Sequence, residues 1–352
     1  MYSKKGVKKV LITGGAGYLG NKLIQSLPEN VDIVVIDNFC INTRFKEIEN
    51  EKLQKDHKLT LIKSNVSEIN KYKNCIENLD VLVYMASLNS FKESNNNPLL
   101  YLRENNINLQ IFLGALKQQS PDIKKIILTS TRGVYGEGPY ACNKCHNRIY
   151  PSPSETLKCT ECQSSNISPQ KIVETDTANP SSYYGISKKL QEEIIKLYCS
   201  ENRISLDIFR IFNVYGENQG EYYTNIGIIP QIYEQIINKK EVYLNGNGSV
   251  TRDFVYVGDV VKMLSDSIFG KNKRINQSEI YNLASGQPIS ILDITYFFEN
   301  LGYKFKKNNL RIINDIKYSV ADNSKIMKTF EIDELLGLFS FLGNYYKKTN
   351  VE

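Results

Sequence analysis

Short apolar runs recur along the first 216 residues: VKKVLI at 7–12, VDIVVIDNF at 31–39, LTLIKSN at 59–65, DVLVYMAS at 80–87, KKIILTST at 124–131 and LDIFRIFNVYG at 206–216. Apolar positions that follow one another without strict alternation predict strands covered on both faces. Between them lie stretches of helical length and mixed polarity, such as PLLYLRENNINLQIFLGALKQQ at 98–119 and a second over 183–201. Strand alternating with helix predicts an α/β fold built on a parallel, doubly wound sheet. In such sheets ligands sit beyond the carboxyl ends of the strands, which is where Asn65, Ser87, Thr131 and Asn213 fall. After Asn213 the pattern loosens into a helix over IGIIPQIYEQIINKK, a glycine turn before a strand in LNGNGSVTRDFVYV, and a helix over VVKMLSDSIF.

The first strand runs into TGGAGYLG and then helix-compatible NKLIQSL. Gly14, Gly17 and Gly20, three residues apart, give a tight turn, space for a pyrophosphate against the backbone, and close helix–strand packing. The spacing is GxxGxxG where the usual dinucleotide fingerprint is GxGxxG. The second strand ends at Asp37, where a carboxylate can hold the adenosine ribose hydroxyls and repel a 2′-phosphate, so NAD is expected over NADP.

Composition narrows the class. The chain has 352 residues, 41% hydrophobic and 23% charged, enough for a well-filled core in one large or two modest domains. No apolar run reaches the roughly 18 residues of a membrane span, and the basic start carries no cleavage pattern, so a soluble cytoplasmic protein is expected. The net charge of +6 comes from scattered lysines without a dense basic block, which argues against nucleic acid and fits an anionic small substrate.

Tyr184 and Lys188 lie one helical turn apart and can face one reacting atom. A neighbouring ammonium and an oxidised nicotinamide would favour the phenolate, making the pair an acid/base unit; the spacing by itself also suits a solvated helix face. Between Thr131 and that helix, Cys142, Cys145, Cys159 and Cys162 form two CxxC knuckles, the pattern of a four-cysteine zinc ribbon. Disulfides, free thiols, or a redox or iron site are the alternatives. Four protein ligands leave no open position, so the metal would be structural. His146 reads as a solvent-facing loop residue, and Cys40, Cys75 and Cys199 as small buried apolar groups.

Taken in order, TGGAGYLG, VVIDNF, VYMAS, TSTRGVYG, YGISK, RIFNVYG and TRDFVYV resemble the extended short-chain dehydrogenase/reductase family, specifically its NAD-dependent nucleotide-sugar epimerases and dehydratases. The resemblance covers nearly the whole chain. It implies that Tyr184 is the acid/base, that Lys188 holds the nicotinamide ribose and lowers the tyrosine pKa, and that Thr131 bonds the sugar hydroxyl. It further implies that Gly14, Gly17, Tyr18 and Leu19 hold the pyrophosphate, that Asp37 and Asn38 hold the adenosine ribose, and that Asn65 and Val66 flank adenine. Met85, Ala86, Ser87 and Asn106 would complete the cofactor site, with Tyr84 in place of a histidine common in the family. Asn213 and Arg252 resemble substrate diphosphate ligands, and Arg311 and Lys317 are further candidates. The family's organisation implies a Rossmann domain (1–136, 171–213 and 253–284), a ribbon insertion (137–170), a smaller substrate lobe (214–252 and 285–352), and a homodimer paired through the helices near 98–118 and 183–201.

In the family's 4,6-dehydratases the catalytic threonine is followed by Asp and Glu, a second acid/base pair that eliminates water. This chain has Arg132 and Gly133, which disfavours dehydration and leaves oxidation and inversion at C4. The expected activity is therefore 4-epimerisation of a nucleotide-diphosphate sugar through a 4-keto intermediate, as in surface polysaccharide or glycan precursor synthesis. The alternative is a dehydratase or C4 dehydrogenase/reductase on the same fold. GEGPYACNKC narrows the likeness to dTDP-L-rhamnose 4-epimerases. One departure is Gly227, where several UDP-sugar epimerases carry asparagine three residues before the proline matching Pro230.

Overall fold

The computed structural model describes residues 7–39, 58–151, 157–219, 227–237, 242–245, 248–270, 277–308 and 316–349. Arg311 and Cys40 lie outside the described residues. Seven strands form one parallel sheet: β1 (Lys9–Thr13), β2 (Asp32–Asp37), β3 (Leu59–Lys63), β4 (Val81–Tyr84), β5 (Lys125–Thr131), β6 (Ser205–Ile211) and β7 (Ser278–Leu283). Their order is β7-β6-β5-β4-β1-β2-β3, so the sheet is doubly wound and reverses direction at β1, between β2 and β4. A crevice opens at such a reversal because the connections leave β1 and β4 toward opposite sides.

The continuous apolar runs are explained by cover on both faces. Val10, Ile12, Ile33, Val35, Val81 and Val83 pack on one side with helices α1 (Tyr18–Ser26) and α4 (Val257–Ile268). Leu11, Val34, Ile36, Leu82 and Tyr84 point to the other side, against α2 (Asn108–Gln119) and the apolar edge of α3 (Tyr183–Asn202). Alternate residues thus serve two cores, as strand geometry requires. Tyr84 is fully buried in the second core and tilts against Phe112 at 5.9 Å.

A third core gathers Tyr215, Phe254, Ile289, Ile294, Phe298, Leu338 and Phe341 away from the sheet. Short strands accompany it: Asn213–Tyr215 pairs with Phe254–Tyr256, and Thr251–Arg252 lies between Ile289–Ser290 and Tyr318–Ser319. The cysteine insertion is a separate three-stranded antiparallel unit of Tyr140–Cys142, Arg148–Ile149 and Ile167–Pro169. No helix among the described residues is long and apolar enough to cross a membrane.

Helix α1 approaches the turn before it so closely that a Cβ on Gly20 would stand 2.5 Å from the Gly15 Cα. Gly20→Ala forces backbone apart and should cost on the order of 1–3 kcal/mol, read as a lower Tm in thermal unfolding.

Candidate active site and metal centre

The crevice at the carboxyl ends of the strands is walled by Gly14, Gly17, Tyr18, Leu19, Asp37 and Asn38 at one end and by Thr131, Tyr184 and Lys188 at the other. Asn65, Val66, Met85, Ala86 and Ser87 lie between them. The structure therefore brings together the three acid/base candidates and all the cofactor candidates except Asn106. That residue is buried beside the crevice and donates its Nδ2–H to the Ser187 carbonyl at 2.8 Å. Asn213 and Arg252 are not in the wall: Asn213 donates to the Asp253 carbonyl at 2.7 Å, and the Arg252 guanidinium to the Thr251 carbonyl at 3.1 Å. Lys317 is exposed, and its backbone N–H donates to Glu137 at 2.8 Å.

The pyrophosphate end fits an anion on this structure's own terms. Helix α1 begins at Gly17 with no side-chain cap and no acidic residue in its first turn, leaving its N-terminal N–H groups facing the crevice. Gly14 takes φ +70° to make the turn. Asp37 is buried, accepting from Ala16 N at 3.0 Å and Phe39 N at 2.8 Å, with further lone pairs for ribose hydroxyls. Burial raises its pKa and these two bonds oppose the rise.

At the other end, Ser182 caps α3 by accepting the Gly185 N–H at 3.0 Å. A Cβ on Gly185 would meet the Gly133 carbonyl at 2.5 Å, so glycine lets the helix start press against the turn that follows β5. That contact brings Tyr184 into the same crevice wall as Thr131, whose hydroxyl favours the phenolate. Tyr101 stacks edge-on against the Tyr184 ring at 6.5 Å. Burial raises the phenol's pKa, opposed by the Thr131 hydroxyl and by the charge of Arg132. Lys188 is fully buried and donates to Gln191 Oε1 at 2.6 Å, and its pKa is pushed down to about 7 by burial, with Glu192 opposing. The sequence expectation that Lys188 tunes Tyr184 meets a different arrangement here, because the ammonium turns along its own helix toward Gln191.

Residues 10–284 match the model of the "NAD dependent epimerase/dehydratase family". The chain belongs to that family. Similar proteins include a dTDP-L-rhamnose 4-epimerase of Burkholderia thailandensis, 26% identical over 82% of this chain and 79% of its own. A dTDP-D-glucose 4,6-dehydratase of Dictyostelium discoideum is 29% identical over 82% of this chain and 61% of its own. The crystal structure of a Bacillus cereus UDP-glucuronic acid 4-epimerase, in complex with UDP-glucuronic acid and NAD, superposes with a TM-score of 0.79 at 24% identity, covering 97% of this chain and 99% of that one.

Several residues of this epimerase/dehydratase site were not legible as such in the sequence. Arg103–Ile107 forms a π-helical turn between Pro98–Leu102 and α2. Such turns favour functional sites because the widened backbone re-aims side chains. Here Glu104 reaches the crevice and accepts from Asn65 Nδ2 at 2.9 Å, while Asn105 ties Leu88 to Ser187. The available signal was the polar run RENN interrupting an otherwise amphipathic helix. Below the site, Glu192 accepts from Arg210 at 3.0 and 2.7 Å and from Ser130 Oγ at 2.6 Å.

The four ribbon sulfurs all lie within 4.8 Å of one another, with Cys142–Cys162 at 3.5 Å and Cys145–Cys159 at 3.4 Å. A tetrahedron of about 2.3 Å Zn–S bonds has edges near 3.8 Å, so the cage suits zinc, and the distances are far from the roughly 2.05 Å of a disulfide. Backbone N–H groups of Cys145 and Lys144 pull the Cys142 thiol down to about 6, and those of Cys162 and Glu161 lower Cys159. His146 is exposed, as expected of a loop residue; Cys199 is buried and Cys75 half-buried.

The buried lysine yields a signed prediction. With a folded pKa about 7 against an ordinary 10.5, Lys188 binds fewer protons folded than unfolded across that interval, so it makes stability rise with pH there. In the cofactor-free protein, the Tm of Lys188→Met minus that of wild type should be greatest near neutrality and shrink toward pH 10. Parallel Tm–pH curves would contradict it.

Proposed function

We propose that the protein is an NAD-dependent epimerase inverting C4 of a nucleotide-diphosphate sugar. The carrying observation is the gathering of Thr131, Tyr184 and Lys188 at one end of a crevice whose wall also holds Gly14 and Asp37, with Arg132 and Gly133 where a dehydratase needs a second acid/base pair. Bound NAD would supply reversible hydride acceptance at the sugar carbon. Gly14, Gly17, Tyr18 and Leu19 would hold its pyrophosphate, and Asp37 and Asn38 its adenosine ribose. Lys188 would turn from Gln191 to the nicotinamide ribose.

Within that arrangement Tyr184 takes the C4 hydroxyl proton as phenolate, and Thr131 orients the same oxygen. With the proton held on Tyr184, the 4-keto sugar turns about its phosphate link and presents its other face. Return of the proton to the C4 oxygen closes the proton's cycle, while the inversion itself would come from hydride given back by the cofactor to the other face of C4. Arg132 stays charged and cannot shuttle a proton, so water is not expelled. Asn213 and Arg252, beside the crevice, are the proposed diphosphate ligands. The likeness of GEGPYACNKC to rhamnose 4-epimerases, together with the Burkholderia relative, favours a dTDP-deoxyhexose.

The same reading extends to assembly. Leu99, Ile107 and Ile111 on one helical segment, and Tyr183, Ile186, Leu190 and Leu197 on α3, are exposed on adjoining helices. An apolar face of this kind suits pairing with a second copy as a four-helix bundle. We assign the ribbon a structural zinc, since its own core of Cys142, Ile149 and Cys159 is too small to hold it folded. A cytoplasmic setting, which keeps thiols reduced, fits four free ligands.

Purified protein incubated with a panel of nucleotide sugars should return products of unchanged mass with inverted C4 by NMR; loss of water would instead mean dehydratase, and accumulation of NADH a dehydrogenase. Tyr184→Phe should retain NAD and lose turnover by about 100-fold or more, and full residual activity would falsify the mechanism. Metal analysis should find about one zinc per chain. Chelation should expose the 142–162 segment to protease, and metal-free protein with intact cysteines and unchanged protease resistance would sink the zinc assignment.

A further inference from the structure

The purine end of the crevice is set by Asp37, because the base hangs from the ribose that this carboxylate is placed to hold. The Ser64 N–H donates to the Asp37 carbonyl at 2.9 Å, so the end of β3 runs beside it, and Ser64, Asn65, Val66 and Glu104 wall this part of the crevice. Adenine carries an exocyclic amine that needs an acceptor there. Asn65 is already committed. Its Oδ1 accepts from Ser67 N at 3.1 Å and Ser67 Oγ at 3.0 Å, and its carbonyl accepts from Ser64 Oγ at 3.1 Å and Glu68 N at 3.0 Å. The Val66 carbonyl takes the Tyr72 hydroxyl. Glu104 differs. Its Oε2 accepts from Asn65 Nδ2 and Asn108 Nδ2, each at 2.9 Å, and its Oε1 from the exposed Arg103 Nε at 3.1 Å. A carboxylate has about four acceptor sites, so one is left without a partner among the described residues.

We propose that Glu104 is the residue that selects the base of the cofactor, its remaining acceptor site taking the exocyclic amine of adenine. The inference rests on the reading that NAD occupies this crevice with its adenosine ribose at Asp37. The π-helical turn Arg103–Ile107 carries Glu104, and the next residue locks that turn in place. Asn105 accepts the Leu88 N–H at 2.8 Å, donates to the Leu88 carbonyl at 3.1 Å and Ser187 Oγ at 2.9 Å, and accepts Gln191 Nε2 on its own carbonyl. Glu104 itself is held on Oε2 by two side-chain amides. A carboxylate fixed in this way loses little freedom on binding. It accepts from an amine and opposes a carbonyl oxygen in the same place, since neither oxygen brings a proton. The base is thus chosen by the sense of one hydrogen bond: adenine over a 6-oxopurine such as hypoxanthine.

The test is the affinity of the cofactor-free protein for NAD and for nicotinamide hypoxanthine dinucleotide, each measured by competition against NADH fluorescence. The analogue differs in carrying an oxygen in place of the amine and a proton on the neighbouring ring nitrogen. Wild type should bind NAD more tightly by about tenfold or more. In Glu104→Gln the amide oxygen can keep the bonds from Asn65 and Asn108 while its NH2 faces the base, so NAD should weaken by about tenfold and the preference should fall to parity or reverse. The ring nitrogen differs between the two dinucleotides in both proteins alike, so the change in preference reads Glu104. Equal affinities in the wild type overturn the proposal without any variant having to fold. A preference unchanged in Glu104→Gln, with both dinucleotides weakened alike, overturns it too and leaves Glu104 a structural residue. Wild-type protein that binds neither NADH nor NAD overturns the reading of the crevice itself, and this inference with it.

Discussion

Glu192 and Arg210 meet inside the molecule with two hydrogen bonds between a fully buried carboxylate and a buried guanidinium, and four elements depend on that contact. Glu192 belongs to α3 and Arg210 to β6. Ser130, at the end of β5, completes the carboxylate's bonding, while the guanidinium lies over the Tyr135 ring at 4.7 Å. Tyr135 in turn donates to Asn282 of β7 at 2.7 Å. A pair this deeply desolvated is worth little against an apolar substitute, but losing one partner strands a charge and costs on the order of 3–5 kcal/mol. Its use is positional. It fixes where α3 lies on the sheet, and so where Tyr184 and Lys188 stand relative to Thr131.

Above that pair, burial acts oppositely on the two titrating groups. It disfavours phenolate at Tyr184 and ammonium at Lys188, so the cofactor-free site holds both nearer their neutral forms. Such a site is set to change charge when an anionic ligand and a cationic ring arrive, because each would reverse one of the two penalties. The groups that moderate the penalties, Thr131 and then Arg132 for the phenol and Glu192 for the amine, come from different elements and are themselves tied by hydrogen bonds.

The ribbon is joined to the rest of the molecule by charge more than by apolar contact. Arg148 makes two bonds to Asp176, at 2.8 and 2.6 Å, and Tyr150 donates to the same carboxylate. At its root, Glu137 is buried and accepts the Lys317 and Tyr318 N–H groups, beside the strand that pairs with Thr251–Arg252. The insertion therefore braces the part of the fold that carries the proposed diphosphate ligands, which would give the proposed zinc a structural use.

The doubly wound sheet was legible in the apolar runs because strands buried on both faces must be apolar at every position. The glycine turn was legible because glycine suits φ +70° at Gly14, where a Cβ would also stand 2.9 Å from the Ala86 backbone, and because a Cβ on Gly20 would stand 2.5 Å from Gly15 Cα. The cysteine cage was legible from spacing alone. The sequence by itself thus determined the architecture and the glycine turn, since these depend on local backbone geometry and short-range pattern, and its family resemblance named the acid/base candidates. Tertiary structure decided the rest. It alone shows that Lys188 is buried and bonded to Gln191, that Glu192 finds Arg210 eighteen residues on, that a π-helical turn aims Glu104 into the crevice, and that Asn106, Asn213 and Arg252 lie outside its wall. Charge and orientation at a buried site are set by neighbours distant in sequence, and no local pattern encodes which of them will be within a hydrogen bond's reach.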